Sequence, residues 1–165
     1  MSILVVTGTP GSGKTTLAEA LRVRGYRIFN VFEIAKAMNC VEEYDEAFEA
    51  YIVNTDKLHQ KLLDWDPHPD EIVVVEGHFA DVVPGERLLH CFVLDPELET
   101  LKPRLEERGY GEGKIQENIE AHIMQECYFD ALEYYGDDRV SKLSGTDLDG
   151  DVEIIITFLN KQKDL

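Results

Sequence analysis

Gly8-Thr9-Pro10-Gly11-Ser12-Gly13-Lys14-Thr15 is the stretch whose reading decides the fold of this chain. It fits G-x-x-x-x-G-K-[ST], and its flanks agree with it. Ile3-Leu4-Val5-Val6 is a short apolar, β-branched run that predicts a buried strand. Thr16 to Arg24 carries Leu17, Ala18 and Leu21 on one helical face. Strand, glycine loop and helix in that order form the setting in which this motif holds phosphate. Glycines let the backbone turn its N–H groups inward around an anion. The following helix adds its positive end. The Lys14 ammonium can reach β- and γ-phosphates, and the Thr15 hydroxyl can ligate Mg²⁺. A glycine turn with an idle lysine would need neither flank, and both are present.

Working outward, Tyr26 to Phe29 predicts a second short strand and Asn30 to Ala37 a helix that Asn30 can cap. Glu42 to Glu49 is acidic, with Tyr44, Phe48 and Tyr51 interspersed. Thr55 is placed to cap a helix running to about Asp64, and a proline-broken loop follows through Asp70. Ile72–Val75 and His90–Leu94 are continuous apolar runs, as in strands buried on both faces. Pro96 to Arg108 predicts a helix with Leu98, Leu101 and Leu105 on one face, ended by Gly109-Tyr110-Gly111-Glu112-Gly113. Lys114 to Tyr135 predicts one long helix, Val140 to Leu143 a last strand, and Asp151 to Lys161 a closing helix. Strands alternate with helices, so the class is α/β, a single domain over residues 1–165 with a mostly parallel, five-stranded sheet.

The chain has 165 residues and a formal charge of −17, unevenly spread. Residues 1–29 are net +3, residues 30–76 net −9 and residues 77–165 net −11. The positive part coincides with the glycine loop. An acidic body argues against broad nucleic-acid binding, which needs a basic footprint. It suits a basic protein partner, and equally a surface whose acids serve solubility. Cys40, Cys91 and Cys127 are odd in number and far apart, which predicts no disulfide framework and a reducing, cytoplasmic setting. The sequence shows neither a leader nor an apolar run of about 20 residues, so no membrane association is expected.

In a parallel α/β sheet the ligand lies beyond the carboxyl ends of the strands. Glu76 falls there, at the end of the Ile72–Val75 run. An acid at that place can hold Mg²⁺ through water or orient a nucleophile. His78, two residues on, can orient a water or a phosphate, or be a loop histidine with no task. Arg104 and Arg108 lie four apart on a helix running into a glycine-rich turn. Paired guanidinium groups there suit a lid closing over phosphates, although Glu106 and Glu107 between them also fit a solvated face. Lys102 and Lys114 stand at the edges of that region. His59, His68, His90 and His122 show no spacing that names a partner.

Several segments together resemble one family. They are Thr7 through Thr16, Asn30-Val31, Glu43-Tyr44-Asp45-Glu46, Asp56-Lys57-Leu58, Val75-Glu76-Gly77-His78, and Arg104-Leu105-Glu106-Glu107-Arg108-Gly109-Tyr110 continuing through Lys114-Ile115 to Glu117-Asn118-Ile119. They resemble adenylate kinase isoenzyme 6 and its archaeal relatives, in order, over most of the chain. The resemblance implies a three-layer P-loop fold of the nucleoside monophosphate kinase type with a short lid. It implies ATP on Gly11, Ser12, Gly13, Lys14, Thr15 and Thr16, with Arg104 and Arg108 on the lid side and Arg108 contacting ATP. It implies a monophosphate-binding region over residues 30–53 and a lid over residues 107–117. The implied catalytic set is Lys14, Glu76, His78 and Arg108, with Thr15 and Glu76 managing Mg²⁺. The implied activity is phosphate transfer from ATP to AMP, giving two ADP, with ATP hydrolysis beside it. A role in maturing the small ribosomal subunit, through one of its basic proteins, is implied as well.

Three positions depart from the family pattern. Glu76 stands where members usually carry Asp, and Lys36 where an arginine commonly faces the monophosphate. Ser144-Gly145-Thr146-Asp147 lacks a lysine common near that loop. Two other readings follow from these departures. One is an ATP-switched assembly factor that grips a basic ribosomal protein, with little AMP kinase activity. The other is a kinase for another nucleoside monophosphate or a small metabolite.

Overall fold

Two apolar periods meet in the first strand and set the layers. In the computed structural model, which describes residues 2–165, β1 spans Ile3–Thr7 and is buried along its whole length. Side chains alternate across a strand, so Ile3 and Val5 join one hydrophobic cluster while Leu4 and Val6 join another. The glycine loop leads from β1 into α1 (Lys14–Val23), and β2 (Arg27–Asn30) passes directly into α2 (Val31–Ala37). Then come β3 (Val41–Asp45), β4 (Ala50–Val53), α3 (Thr55–Leu62), β5 (Val73–Glu76) and β6 (Leu88–Leu94). The chain closes with α4 (Leu98–Glu107), α5 (Glu112–Ile123), α6 (Glu126–Tyr135), β7 (Val140–Leu143) and α7 (Leu148–Lys163).

The main sheet has five strands in the order β2-β5-β1-β6-β7, all pairs parallel. On one face α2, α3 and α6 contribute Ile34, Leu58, Leu62 and Ala131 to a cluster with Val73, Val75 and Val93. On the other, α1 and α7 contribute Leu17, Leu21, Ile155 and Leu159 against Val74, Phe92 and Leu143. This is the expected three-layer α/β arrangement, and β1, with strands on both sides, puts the glycine loop at the centre of the carboxyl edge.

Two parts stand off this double-sided core. β3 and β4 form a separate antiparallel hairpin. The sequence reading places no strands there, because an acidic segment with exposed aromatics lacks a buried face. α4 and α5 share a small cluster of their own, Leu101, Leu105 and Ile119 with Tyr110 and Ile115 against it.

Three local expectations are corrected. The predicted long helix from Lys114 to Tyr135 is two helices, broken at Gln125, whose φ of 54° is left-handed and cannot continue a helix. Ile123, just before the break, is exposed. The cap of α3 is Asn54, whose side-chain oxygen accepts from the Lys57 N–H, so Thr55 is the first helical residue. Leu98 is exposed, and only Leu101 and Leu105 carry the inner face of α4. The Asn30 cap on α2 forms as expected, its Oδ1 accepting from Glu33 N at 3.1 Å.

Candidate active site

The glycine loop is shaped to receive an anion. Gly13 occupies the N-cap of α1 at φ 103°, a left-handed conformation that side chains resist. It offers no side-chain acceptor to the helix, so the N–H groups of the first turn stay open to a ligand. Lys14 is 8% exposed, and its ammonium folds back onto the loop. Nζ donates to Gly8 O at 2.7 Å and Thr9 O at 2.9 Å, with Ser12 Oγ at 3.5 Å. Burial holds the Lys14 pKa down at about 8, with Arg108 pushing the same way. An anion beside the ammonium would oppose that shift.

The β5 end supplies the acid. Glu76 is buried and stands beside Asn30 across the β2–β5 ladder. Asn30 Nδ2 donates to Glu76 Oε1 at 2.8 Å while its own oxygen caps α2. One amide therefore fixes both the acid and the start of the next helix. Beyond Glu76, Thr7 Oγ1 lies 2.9 Å from Gly77 O and 3.1 Å from His78 O, pinning that loop to the end of β1. A Cβ on Gly77 would come within 2.3 Å of the Val31 side chain, so this close approach requires glycine.

His78 Nδ1 lies 3.3 Å from Gly8 O. A carbonyl can only accept, so Nδ1 carries the proton and Nε2 is left as an acceptor. Burial first, and the Lys14 charge second, hold the His78 pKa below its usual value. Cys127 Sγ approaches the same ring at 3.8 Å, but burial pushes its thiol up to about 12, which keeps it from acting as a nucleophile near neutral pH. Asp81, in the turn after His78, is raised to about 6 by burial and then by Asp130.

Two clefts of nucleotide size open on the glycine loop. The first, about 510 Å³, is lined by Gly11, Gly13, Lys14, Thr15, Thr16, Leu17 and by Arg104, Arg108, Gly145 and Thr146 from across the gap. The second, about 540 Å³, lies between the hairpin and α5 and includes Pro10, Phe48, His78, Tyr110, Lys114 and Asn118. All the sequence-selected loop residues except buried Ser12 line the first cleft; His78 lines the second.

The two arginines differ. Arg104 donates from Nη1 to Gly11 O at 3.1 Å and from Nη2 to Gly145 O at 3.0 Å. It thus fastens α4 to the glycine loop and to the β7–α7 loop. Arg108 is exposed at the end of α4, with only Tyr110 Oη at 3.3 Å. Lys114 donates to Glu49 O at 2.8 Å, joining α5 to the hairpin tip, and Lys36 pairs with Glu33 at 3.1 Å on exposed surface.

Sequence reasoning missed Asp151. Its buried carboxylate accepts from Ser144 N at 3.1 Å, Ser144 Oγ at 3.0 Å and Gly145 N at 2.9 Å. It thereby shapes the loop that walls the first cleft. Along the chain it reads only as an acid in a first helical turn, where acids are common. Among the described residues no group of three His, Cys, Asp or Glu side chains is placed to hold a metal by itself. The donors near the loop, the Thr15 hydroxyl and the Glu76 carboxylate, are hard oxygens, which fits Mg²⁺ shared with phosphates. No helix among these residues is long and apolar enough to cross a membrane, and all three cysteines are free.

Residues 4–125 match the family model described as an AAA domain. The adenylate kinase isoenzyme 6 homolog FAP7 of Saccharomyces cerevisiae is 39% identical over 134 residues, 80% of this chain and 67% of that protein. A Thermoplasma volcanium protein provisionally named an adenylate kinase is 32% identical over 164 residues, 98% of this chain and 96% of its own. Among solved structures, shikimate kinase from Bacteroides thetaiotaomicron superposes with a TM-score of 0.58 at 16% identity, covering 99% of both chains. A deoxyadenosine kinase from M. mycoides gives 0.57 at 15% identity, covering 97% of this chain and 99% of the other. At such identities the last two speak for the fold alone.

Proposed function

The chain belongs to the family of adenylate kinase isoenzyme 6 homologues and their archaeal relatives, and on that premise we propose that this P-loop nucleotide kinase moves the γ-phosphate of ATP to AMP. The observation that carries the reading is that two clefts border one phosphate loop, the first at Gly11 to Thr16 and the second at Pro10. Hydrolysis of ATP alone needs a single nucleotide site, whereas transfer between nucleotides needs two that converge.

In this reading ATP takes the first cleft, with its phosphates on the N–H groups of Gly11 to Thr16. Lys14 leaves the carbonyls of Gly8 and Thr9 and neutralises charge on the transferring group. Arg108 swings from the end of α4 onto the same phosphates, while Arg104 keeps the wall of the cleft in place. Residues 107–117 act as the lid and residues 30–53 as the acceptor region. AMP takes the second cleft, whose lining includes Phe48, Tyr110 and His78. His78, neutral near pH 7, offers its Nε2 as an acceptor for a proton from the acceptor phosphate. Thr15 and Glu76 would hold Mg²⁺, which supplies charge neutralisation at the phosphates when bound. Glu76 reaches one methylene further than Asp, and the bond from Asn30 holds its carboxylate in one place.

A second reading rests on the hairpin. Glu42, Glu43 and Glu46 stand there beside exposed Tyr44, Phe48 and Tyr51. An acidic, aromatic edge suits a basic protein such as a ribosomal one, and ATP would then switch that grip. One experiment separates the readings: ADP formation by purified protein with Mg²⁺ and ATP, with and without AMP, beside Lys14→Ala. ADP appearing far faster with AMP than without, and lost in the variant, supports the kinase. Slow hydrolysis indifferent to AMP but dependent on Lys14 refutes it in favour of the switch. A panel of other monophosphates and small acceptors, with ATP held constant, decides the acceptor.

A further inference from the structure

His122 stands at no spacing that marks it in sequence, yet both of its ring nitrogens are engaged. It lies in the last turn of α5, and its side chain is 10% exposed. Nε2 is 2.6 Å from Pro96 O, so Nε2 carries a hydrogen and donates it. Nδ1 is 3.2 Å from Thr9 Oγ1; in the neutral ring it accepts, and the Thr9 hydroxyl donates. Asp95 Oδ1 lies 3.6 Å from the same Nε2, and Lys142 Nζ lies 3.6 Å from the other Asp95 oxygen. Lys142 in turn reaches Gln125, the residue that breaks α5 from α6. One ring thus joins the phosphate loop, the β6–α4 loop and α5.

Thr9 is the second residue of the phosphate loop and is 2% exposed. Its carbonyl accepts from Lys14 Nζ at 2.9 Å and from Ser12 N at 3.1 Å. Gly8 O accepts from Lys14 and from His78. When Lys14 departs to a phosphate, Gly8 O keeps His78, Thr9 O keeps Ser12 N, and the Thr9 hydroxyl keeps His122. The first turn of the loop therefore holds its shape at the moment its lysine leaves.

We infer that His122 is a positioning residue that braces the entry of the phosphate loop through Thr9 and holds α5 in register with it. A flat ring with a donor on one edge and an acceptor on the other spans the gap with little rotamer freedom. Loss of the ring leaves a buried hydroxyl and a carbonyl without partners, and the loop is free to shift toward satisfying them. The inference rests on the reading above, in that Lys14 is taken to move onto a bound triphosphate.

The test is an equilibrium titration of the purified protein with a fluorescent ATP analogue, with thermal melting and steady-state kinetics alongside. The variants are His122→Ala, Thr9→Val, both together, and His122→Gln, which restores one donor and one acceptor. The expected result is a roughly 3- to 10-fold weaker analogue affinity in each single variant, the scale of one buried hydrogen bond. The double variant should be no weaker than the worse single one. The KM for AMP should move less than about twofold, and Gln should recover affinity to within about twofold of wild type. If His122→Ala melts earlier yet binds the analogue like wild type, the residue is merely structural and the inference fails. Multiplying effects of the two single variants would overturn the link between them. Failure of the wild-type protein to bind the analogue would overturn the phosphate-loop reading itself, and this inference with it.

Discussion

The phosphate loop and the α4–α5 corner face each other across the same cleft and are built in opposite ways. The loop springs from β1, which has parallel strands on both sides and apolar helices on both faces. Its residues are tied by Lys14, His78, Arg104 and His122. The corner rests on a core of three buried residues, Leu101, Leu105 and Ile119. Arg108, at the end of α4, is exposed, and among the described residues its guanidinium bonds only to Tyr110. Arg104 and His122 tie α4 and α5 to the loop, but so small a core places the turn between the two helices lower in local stability than the sheet. Under the proposed function, the difference is a division of labour: rigid backbone donors where charge is met without reorganisation, and a less firmly founded arm from which a cation would arrive and leave.

The contrast predicts a graded set of effects. Lys14→Ala should lower kcat/KM roughly a thousandfold, the scale of losing a central electrostatic donor. Its melting temperature should be unchanged or higher, because burial opposes the Lys14 charge. An unfolded variant would break the idea that this lysine serves charge rather than packing. Next, Leu4→Ala, in the two-sided core, should cost about 3 kcal/mol of global stability. Leu105→Ala should instead speed amide exchange in α4 and α5 while leaving β1 and β5 protected. Uniform loss of protection across the sheet in Leu105→Ala would mean that the corner is part of the main cooperative unit.

Arg108→Ala should lower kcat some tens of fold with little change in melting, since the side chain is exposed at the helix end. Equal effects of Arg104→Lys and Arg108→Ala on melting would contradict the distinction between the bolted and the free arginine. The smallest effect concerns pH. Asp81 is raised to about 6, above its usual carboxylate value, so between about pH 4 and pH 6 the folded state keeps a proton that the unfolded chain releases. Its contribution to stability is therefore present below that window and lost as pH rises through it. Asp81→Asn should melt a degree or two higher at pH 8 and show no such gain at pH 4, read from melting curves across that range.

Much of this was legible along the chain because its signals are local. The glycine loop, the β1 run and the helix after it lie within some twenty residues, and their apolar periods differ sharply. Glu76 could be placed because a strand end is visible where a valine run stops. The hairpin escaped notice because strands are normally recognised by a buried face, and β3 and β4 have almost none. The break at Gln125 was hidden because both flanking segments keep helical composition, and only one residue turns left-handed.

By itself the sequence determined the α/β class, the phosphate loop with its lysine, and the acid at the end of β5. Each of these depends on residues adjacent in the chain or on a period of two or 3.6. Tertiary structure alone decided that Asn30 holds Glu76, that Asp151 shapes the cleft wall, that Arg104 is fastened while Arg108 is free, and that His122 meets Thr9. Asn30–Glu76, Arg104–Gly11 and His122–Thr9 are separated by 46, 93 and 113 residues, while Asp151 meets Ser144 only seven residues away, across the β7–α7 loop. A hydrogen bond reaches about 3 Å. Only the strand order that stacks β2, β5, β1, β6 and β7 side by side brings their carboxyl ends, and the loops that follow them, within that reach.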